Sequence, residues 1–155
     1  MPEAFFYFSL RRKKMTIKYD AVVMKTMSLF ENITKAMLKD FYIDEVNGMM
    51  TFVVMPGNMR NALGKDASNV KRMQAKFEKR IKIVEYNDDV LRFIRNMIMP
   101  LKADDIERTG ENEITIHSDD TQTKGLLIGR NAANLRNLEK NVQRYFSQIK
   151  EIKVV

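Results

Sequence analysis

"ALGKDASNVKRM" at 62–73 and "LIGRNAANLRNL" at 127–138 are two versions of one pattern, in register at an offset of 65 residues. Gly64 falls on Gly129, Lys65 on Arg130, Asp66 on Asn131, Ala67 on Ala132, Asn69 on Asn134 and Lys71 on Arg136, while Val70 and Met73 meet Leu135 and Leu138. Self-similarity of this detail marks a duplicated structural unit. The 155-residue chain therefore reads as two copies of a unit of about 65 to 70 residues, covering 15–86 and 87–155. Residues 1–14 lie outside the repeat. They read as an upstream-start artefact or disordered tail, with a basic, aromatic arm on nucleic acid as the rival reading.

The pattern around each repeated glycine sets out the same elements twice. In the second copy Val90, Phe93, Ile94 and Met97 recur at helical spacing behind the candidate caps Asp88 and Asp89, and Pro100 marks the stop. The alternation Ile114, Thr115, Ile116 predicts a strand. Leu135, Leu138, Val142, Tyr145, Phe146 and Ile149 predict one long apolar helical stripe, about six residues longer than its counterpart. Ile152, Val154 and Val155 close the unit as a strand. The first copy predicts a helix through Met27, Phe30 and Ile33, strands at Phe41–Asp44 and Thr51–Val54, a helix carrying Val70, Met73 and Phe77, and a strand at Ile81–Glu85. The fold class is α+β, each unit running helix, strand, strand, short helix, long helix, strand. The connector Tyr86–Asp89 has no Gly, Pro or Ser slack, which predicts two units docked at a fixed separation.

Composition says what kind of partner to expect. Hydrophobic residues at 45% and charged residues at 30% describe a globular chain. The formal charge is +7, and it is segregated. Residues 60–82 hold eight basic and two acidic side chains and 124–153 hold seven and two, whereas 85–120 hold four and ten. Both basic blocks are centred on a repeated glycine, so a polyanion gripped at two points fits better than a uniformly basic coat. With no Cys and one His, disulfide, iron–sulfur and thiolate-zinc chemistry are excluded. His117 beside Asp119 and Asp120 reads as a solvated loop, so no metal or other cofactor is expected. No serine-nucleophile, Walker or dinucleotide motif occurs, and the scattered carboxylates Asp104, Asp105, Glu107, Glu111 and Glu113 form no paired acid and base. No enzyme is expected, nor a membrane partner, since no apolar run approaches about 18 residues. The twelve Met, among them Met24, Met27, Met49, Met73 and Met97, read as core filling.

A glycine turn between two helices brings a helix N-terminus, with its unbonded N–H groups, to the surface. A cation one residue later, Lys65 or Arg130, reaches a second phosphate oxygen. The apolar side chains beside it offer bases a groove, the way single strands are held.

A Gly-x-x-Gly loop between helices in an α-β-β-α-α-β unit resembles the type II KH domain. Two in tandem, with "FVV" before the first loop, "VEYNDD" between the units and "RYF" near the end, resemble the archaeal NusA-like transcription factor family from about Met15 to Val155. The resemblance implies single-stranded RNA as ligand and a role in transcription termination or antitermination, but direct polymerase binding does not transfer with it; a monomeric cytoplasmic protein is expected, with the transcription machinery as a further candidate partner. The RNA-binding positions it implies are Leu63, Gly64, Lys65, Asp66, Ala67, Val70, Lys71 and Arg72 in the first unit, and Ile128, Gly129, Arg130, Asn131, Ala132, Leu135 and Arg136 in the second. The rival functions are a protein-interaction scaffold with degenerate loops and an RNA-binding factor of ribosome assembly.

The fourth loop position departs from the family pattern, holding Ala67 and Ala132 where it has Gly. Ordinary helical φ is the expectation for both, because a left-handed Ala is strained. Asp66 and Asn131 are expected as helix caps. A carboxylate about 4 Å from a phosphate is repelled by roughly 1 to 4 kcal/mol, depending on screening, so the second unit is expected to be the better RNA clamp, judged by comparing Gly64→Asp with Gly129→Asp.

Overall fold

The computed structural model describes residues 19–155. The expected extension at 1–14 lies outside them. The chain forms two compact units that divide between Tyr86 and Asn87.

In the first unit, α1 (Ala21–Thr34) starts where the Asp20 side chain accepts the Val23 N–H at 2.8 Å. It ends at Lys35, whose left-handed conformation turns the chain while its N–H still reaches Glu31 O. Strands β1 (Leu38–Ile43) and β2 (Met50–Val54) pair antiparallel with Phe41 opposite Phe52. The short helix α2 (Met59–Leu63), a 3₁₀ turn (Lys65–Ala67) and α3 (Ser68–Phe77) then carry the chain back, so β3 (Ile81–Glu85) lies parallel to β2. A parallel neighbour requires such a crossover, and it is what puts the glycine turn at one end of the unit. Strand order is β1-β2-β3. Phe30 of α1 stacks on Phe52 at 4.3 Å between ring centroids, and Phe41 meets the same ring at 4.7 Å. Ala62 and Met73 close this core from α2 and α3.

The second unit repeats the plan. Helix α4 (Val90–Ile98) is capped by Asp89, which accepts the Leu91 N–H at 3.0 Å. Strands β4 (Asp105–Gly110) and β5 (Glu113–His117) pair antiparallel. Helix α5 (Thr121–Ile128), a 3₁₀ turn (Arg130–Ala132) and α6 (Ala133–Gln143) lead to β6 (Glu151–Val154), parallel to β5 in the order β4-β5-β6. Asp120 caps α5. The Thr123 hydroxyl, then the Thr123 N–H, lower its carboxyl pKa. Phe93, Ile94, Ile114, Ile116, Val142, Ile149 and Ile152 are fully buried.

This is the expected α+β architecture, with four local differences. The first strand begins at Leu38 and stops before Asp44, because the Asp44 carboxylate accepts the N–H groups of Val46 and Asn47 and closes the turn instead. Helix α6 ends at Gln143, so Arg144–Lys150 is no extension of it. In that segment Tyr145 and Phe146 both bond back to Val142 O, and Gln143 Nε2 donates to Ile149 O at 3.0 Å. The turns tuck Phe146 and Ile149 into the core. Val155, expected in the closing strand, lies beyond it and is 51% exposed. Met73 and Met97 are buried, whereas Met24 is 49% exposed on α1 and packs no core.

Candidate nucleic-acid interface

The two glycine turns have nearly the same backbone. Gly64 stands at φ 73°, ψ 175° and Gly129 at φ 74°, ψ 176°, a region open essentially to Gly alone. Next, Asp66 (φ 54°, ψ 35°) and Asn131 (φ 54°, ψ 32°) are left-handed, as are Ala67 (φ 57°, ψ 29°) and Ala132 (φ 61°, ψ 22°). The same bonds close both turns. Gly64 N–H donates to Arg60 O at 3.0 Å and Ala67 N–H to Gly64 O at 3.2 Å; Gly129 N–H donates to Gly125 O at 2.8 Å and Ala132 N–H to Gly129 O at 3.2 Å. None of these bonds uses the amides of Lys65, Asp66, Arg130 or Asn131.

The observed turns correct two expectations. Ala67 and Ala132 do not take helical φ; the closed turn holds them left-handed against their intrinsic preference. Asp66 and Asn131 do not cap the helices either. The cap positions of α3 and α6 belong to Ala67 and Ala132, which make no side-chain cap bond. A left-handed Ala costs roughly 1–2 kcal/mol, from which Gly's extra unfolded-state entropy of about 0.4–1 kcal/mol is subtracted. Ala132→Gly and Ala67→Gly are therefore each expected to stabilise their unit by up to about 1.6 kcal/mol, a rise of a few degrees in Tm. Differential scanning calorimetry of the two variants checks this.

The residue that holds each turn is visible in the repeat, but without its role. Asn69 Nδ2 donates to Asn61 O, and Asn134 Nδ2 to Leu126 O, both at 2.9 Å. Each Asn ties the start of the long helix back to the short one across the glycine. Lack of a glycine side chain is what makes room: a Cβ on Gly129 would lie 2.6 Å from Asn134 Cγ, and one on Gly64 would lie 2.8 Å from Asn69 Nδ2. A second matched pair ties the long helices to their strands. Gln74 Oε1 accepts the Ile81 N–H at 3.2 Å, and Glu139 Oε2 accepts the Ile152 N–H at 2.8 Å.

Lys65, Asp66, Arg130 and Asn131 are exposed, and among the described residues none of these four side chains has a hydrogen-bond or ion-pair partner. Lys71 and Arg72 are exposed on α3. Arg136 is different, because its Nη1 lies 2.7 Å from Glu139 Oε2 and so braces α6. Leu63, Val70 and Ile128 are half-buried beside the turns, but Leu135 is only 6% exposed and belongs to the core of its unit, not to a groove. Leu126, which the repeat does not single out, is 51% exposed just before the second turn.

Asp104, Asp105, Glu107 and Glu111 are exposed along and beside β4. His117 Nε2 lies 3.3 Å from Glu107 Oε1 in an exposed pair. Among the described residues no cluster of three metal-ligating side chains occurs, and no helix is long and apolar enough to cross a membrane.

The chain is similar to several known proteins. The KH domain family matches residues 26–97. A probable transcription termination protein NusA of Methanocaldococcus jannaschii is 30% identical over 135 residues, 86% of this chain and 72% of that protein. The protein of the same description from Methanococcus vannielii is 29% identical, over 91% of this chain and 81% of its own length. A solved structure, "Crystal structure of APE1850", superposes with a TM-score of 0.69 at 24% identity, over 88% of this chain and 100% of that one. That likeness concerns the fold.

Proposed function

The chain belongs to the archaeal NusA family of KH-domain proteins, and on that premise we propose that it binds single-stranded RNA through both units and acts in transcription termination and antitermination. It does so as a monomeric cytoplasmic protein without cofactor or catalysis. The observation that carries this reading is the pair of matching turns, each of which sets an exposed cation, without a partner among the described residues, just ahead of a long helix. Backbone amides and the positive end of the helix dipole favour an anion there. The cation adds a charge-assisted bond to a second oxygen of the same phosphate. Half-buried Leu63, Val70 and Ile128 offer apolar surface to a splayed base.

Salt dependence is the direct test. With exposed Arg60, Lys71, Arg72 and Arg130 each neutralising one phosphate, log affinity for single-stranded RNA should fall against log salt with a slope of roughly −3. Between about 50 and 200 mM salt the affinity then drops on the order of fiftyfold, readable by fluorescence anisotropy. Binding that is absent or indifferent to salt would favour a protein-interaction scaffold. In a reconstituted transcription reaction the added protein should change the fraction of transcripts that end at a terminator.

A further inference from the structure

The duplication provides an internal comparison, because two turns of nearly the same backbone carry different side chains. The first turn places Lys65 beside Asp66 and is locally neutral; the second places Arg130 beside Asn131 and is net positive. Asp66 serves no cap and, among the described residues, forms no ion pair, so its exposed carboxylate is left to oppose a phosphate approaching the turn. Immediately ahead of the turns the units differ again. Leu126 exposes an apolar side chain where the first unit has exposed Asn61. The carbonyl of each is held by the matching Asn, at 2.9 Å in both cases, so the two positions are structurally equivalent. Along the long helices the balance reverses. The first unit exposes Lys71 and Arg72, and also Arg60 where the second has Gly125, whereas Arg136 of the second unit is engaged by Glu139.

We propose that the two units have different roles in binding single-stranded RNA. The second seats a nucleotide, its phosphate at the Arg130–Asn131 turn and its base against Leu126, while the first gathers the strand through Arg60, Lys71 and Arg72 and keeps phosphate out of its own turn through Asp66. The inference rests on the RNA-binding reading above and makes Asp66 a specificity determinant. Attraction by mobile surface cations is long-ranged and salt-sensitive, whereas apolar contact with a base is short-ranged and barely depends on salt. The two halves should therefore answer to different measurements.

The glycines themselves are unsuitable probes, since any side chain there collides with Asn69 or Asn134; exposed residues beside them serve instead. The full chain is titrated with a mixed-sequence single-stranded RNA of about 12 nucleotides across salt, with circular dichroism melting of each variant as the folding control. A lost charge-assisted bond predicts about tenfold weaker binding for Arg130→Ala, with Arg130→Lys retaining most of it. Loss of a base contact predicts about fivefold weaker binding for Leu126→Asn, with an unchanged salt slope. Lys65→Ala should lose less than about twofold, and Asp66→Asn should strengthen binding several-fold. Lys71→Ala with Arg72→Ala should flatten the slope by roughly 1.4. Lys65→Ala losing as much as Arg130→Ala, or Asp66→Asn leaving affinity unchanged or weaker, overturns the division of roles and leaves RNA binding intact. A wild-type chain that binds no RNA overturns the functional reading, and the division with it.

Discussion

Gly129→Ala is expected to destabilise the second unit by about 2–4 kcal/mol, the joint size of a strained backbone and a lost hydrogen bond. Its φ of 74° with ψ near 176° lies where an L-residue is strained by about 1–3 kcal/mol. The added methyl would also sit 2.6 Å from Asn134 Cγ and 2.7 Å from its Nδ2. To escape, the Asn134 side chain must leave Leu126 O, a bond worth about 0.5–1.5 kcal/mol, and the turn opens. For a unit of this size Tm should fall by at least about 10 °C. Gly64→Ala repeats the experiment in the first unit, against Asn69 Nδ2 at 2.8 Å and Ser68 Oγ at 2.9 Å. Gly125→Ala is the control of opposite sign. It lies inside α5 with nothing within 4 Å of an added Cβ, so the better helix former should stabilise by up to about 1 kcal/mol. A Gly129→Ala protein that melts with the wild type would show that the turn is not closed as described. In Asn134→Ala the two shortest contacts, with Cγ and Nδ2, are gone and only the Cβ at 2.9 Å remains, so adding Gly129→Ala there should cost less than in the wild type, a coupling that a double-mutant cycle measures.

That Gly and Asn act as a pair bears on what can be read from a sequence. The register at an offset of 65 residues is enough to place both turns, and apolar periodicity places β2, β3 and α4 nearly to the residue. These elements are legible because burial on one face writes a regular pattern into the chain. The left-handed Ala67 and Ala132 are not legible. A local rule says that Ala avoids such φ, and only the closed turn with its Asn anchor overrides it. Asp66 and Asn131 look like caps for the same reason, since a polar residue near a helix start is usually one. Leu135 illustrates a limit of periodicity, which marks an apolar face without saying how deeply any one side chain of it sinks.

The end of α6 is the clearest failure of periodicity, and it leads to the other large effect expected. Tyr145, Phe146 and Ile149 continue the spacing of Leu138 and Val142, so the pattern cannot tell a continuing helix from turns that fold back onto the same core. Phe93 of α4 is what the two aromatic rings fold onto. It is fully buried, its ring 5.4 Å from Tyr145 edge to face and 5.7 Å from Phe146. Phe93→Ala is expected to cost about 3–5 kcal/mol in transfer and cavity terms, and the lost aromatic contacts add about 0.5–1.5 kcal/mol for each pair. Domains have about 5–15 kcal/mol in total, and one of about 70 residues stands near the low end of that range. The second unit should then be largely unfolded well below the wild-type melting temperature, while the first unit, with its separate core around Phe30, Phe41 and Phe52, keeps its structure. Hydrogen exchange resolves the two outcomes, with amides of β4 to β6 losing protection and those of β1 to β3 retaining it. Gln148→Ala, on the exposed side of the same segment, should change stability by less than about 0.5 kcal/mol. Loss of protection in both units together would mean that their cores are coupled, and a Phe93→Ala protein with wild-type protection would mean that the Arg144–Lys150 segment does not pack as described.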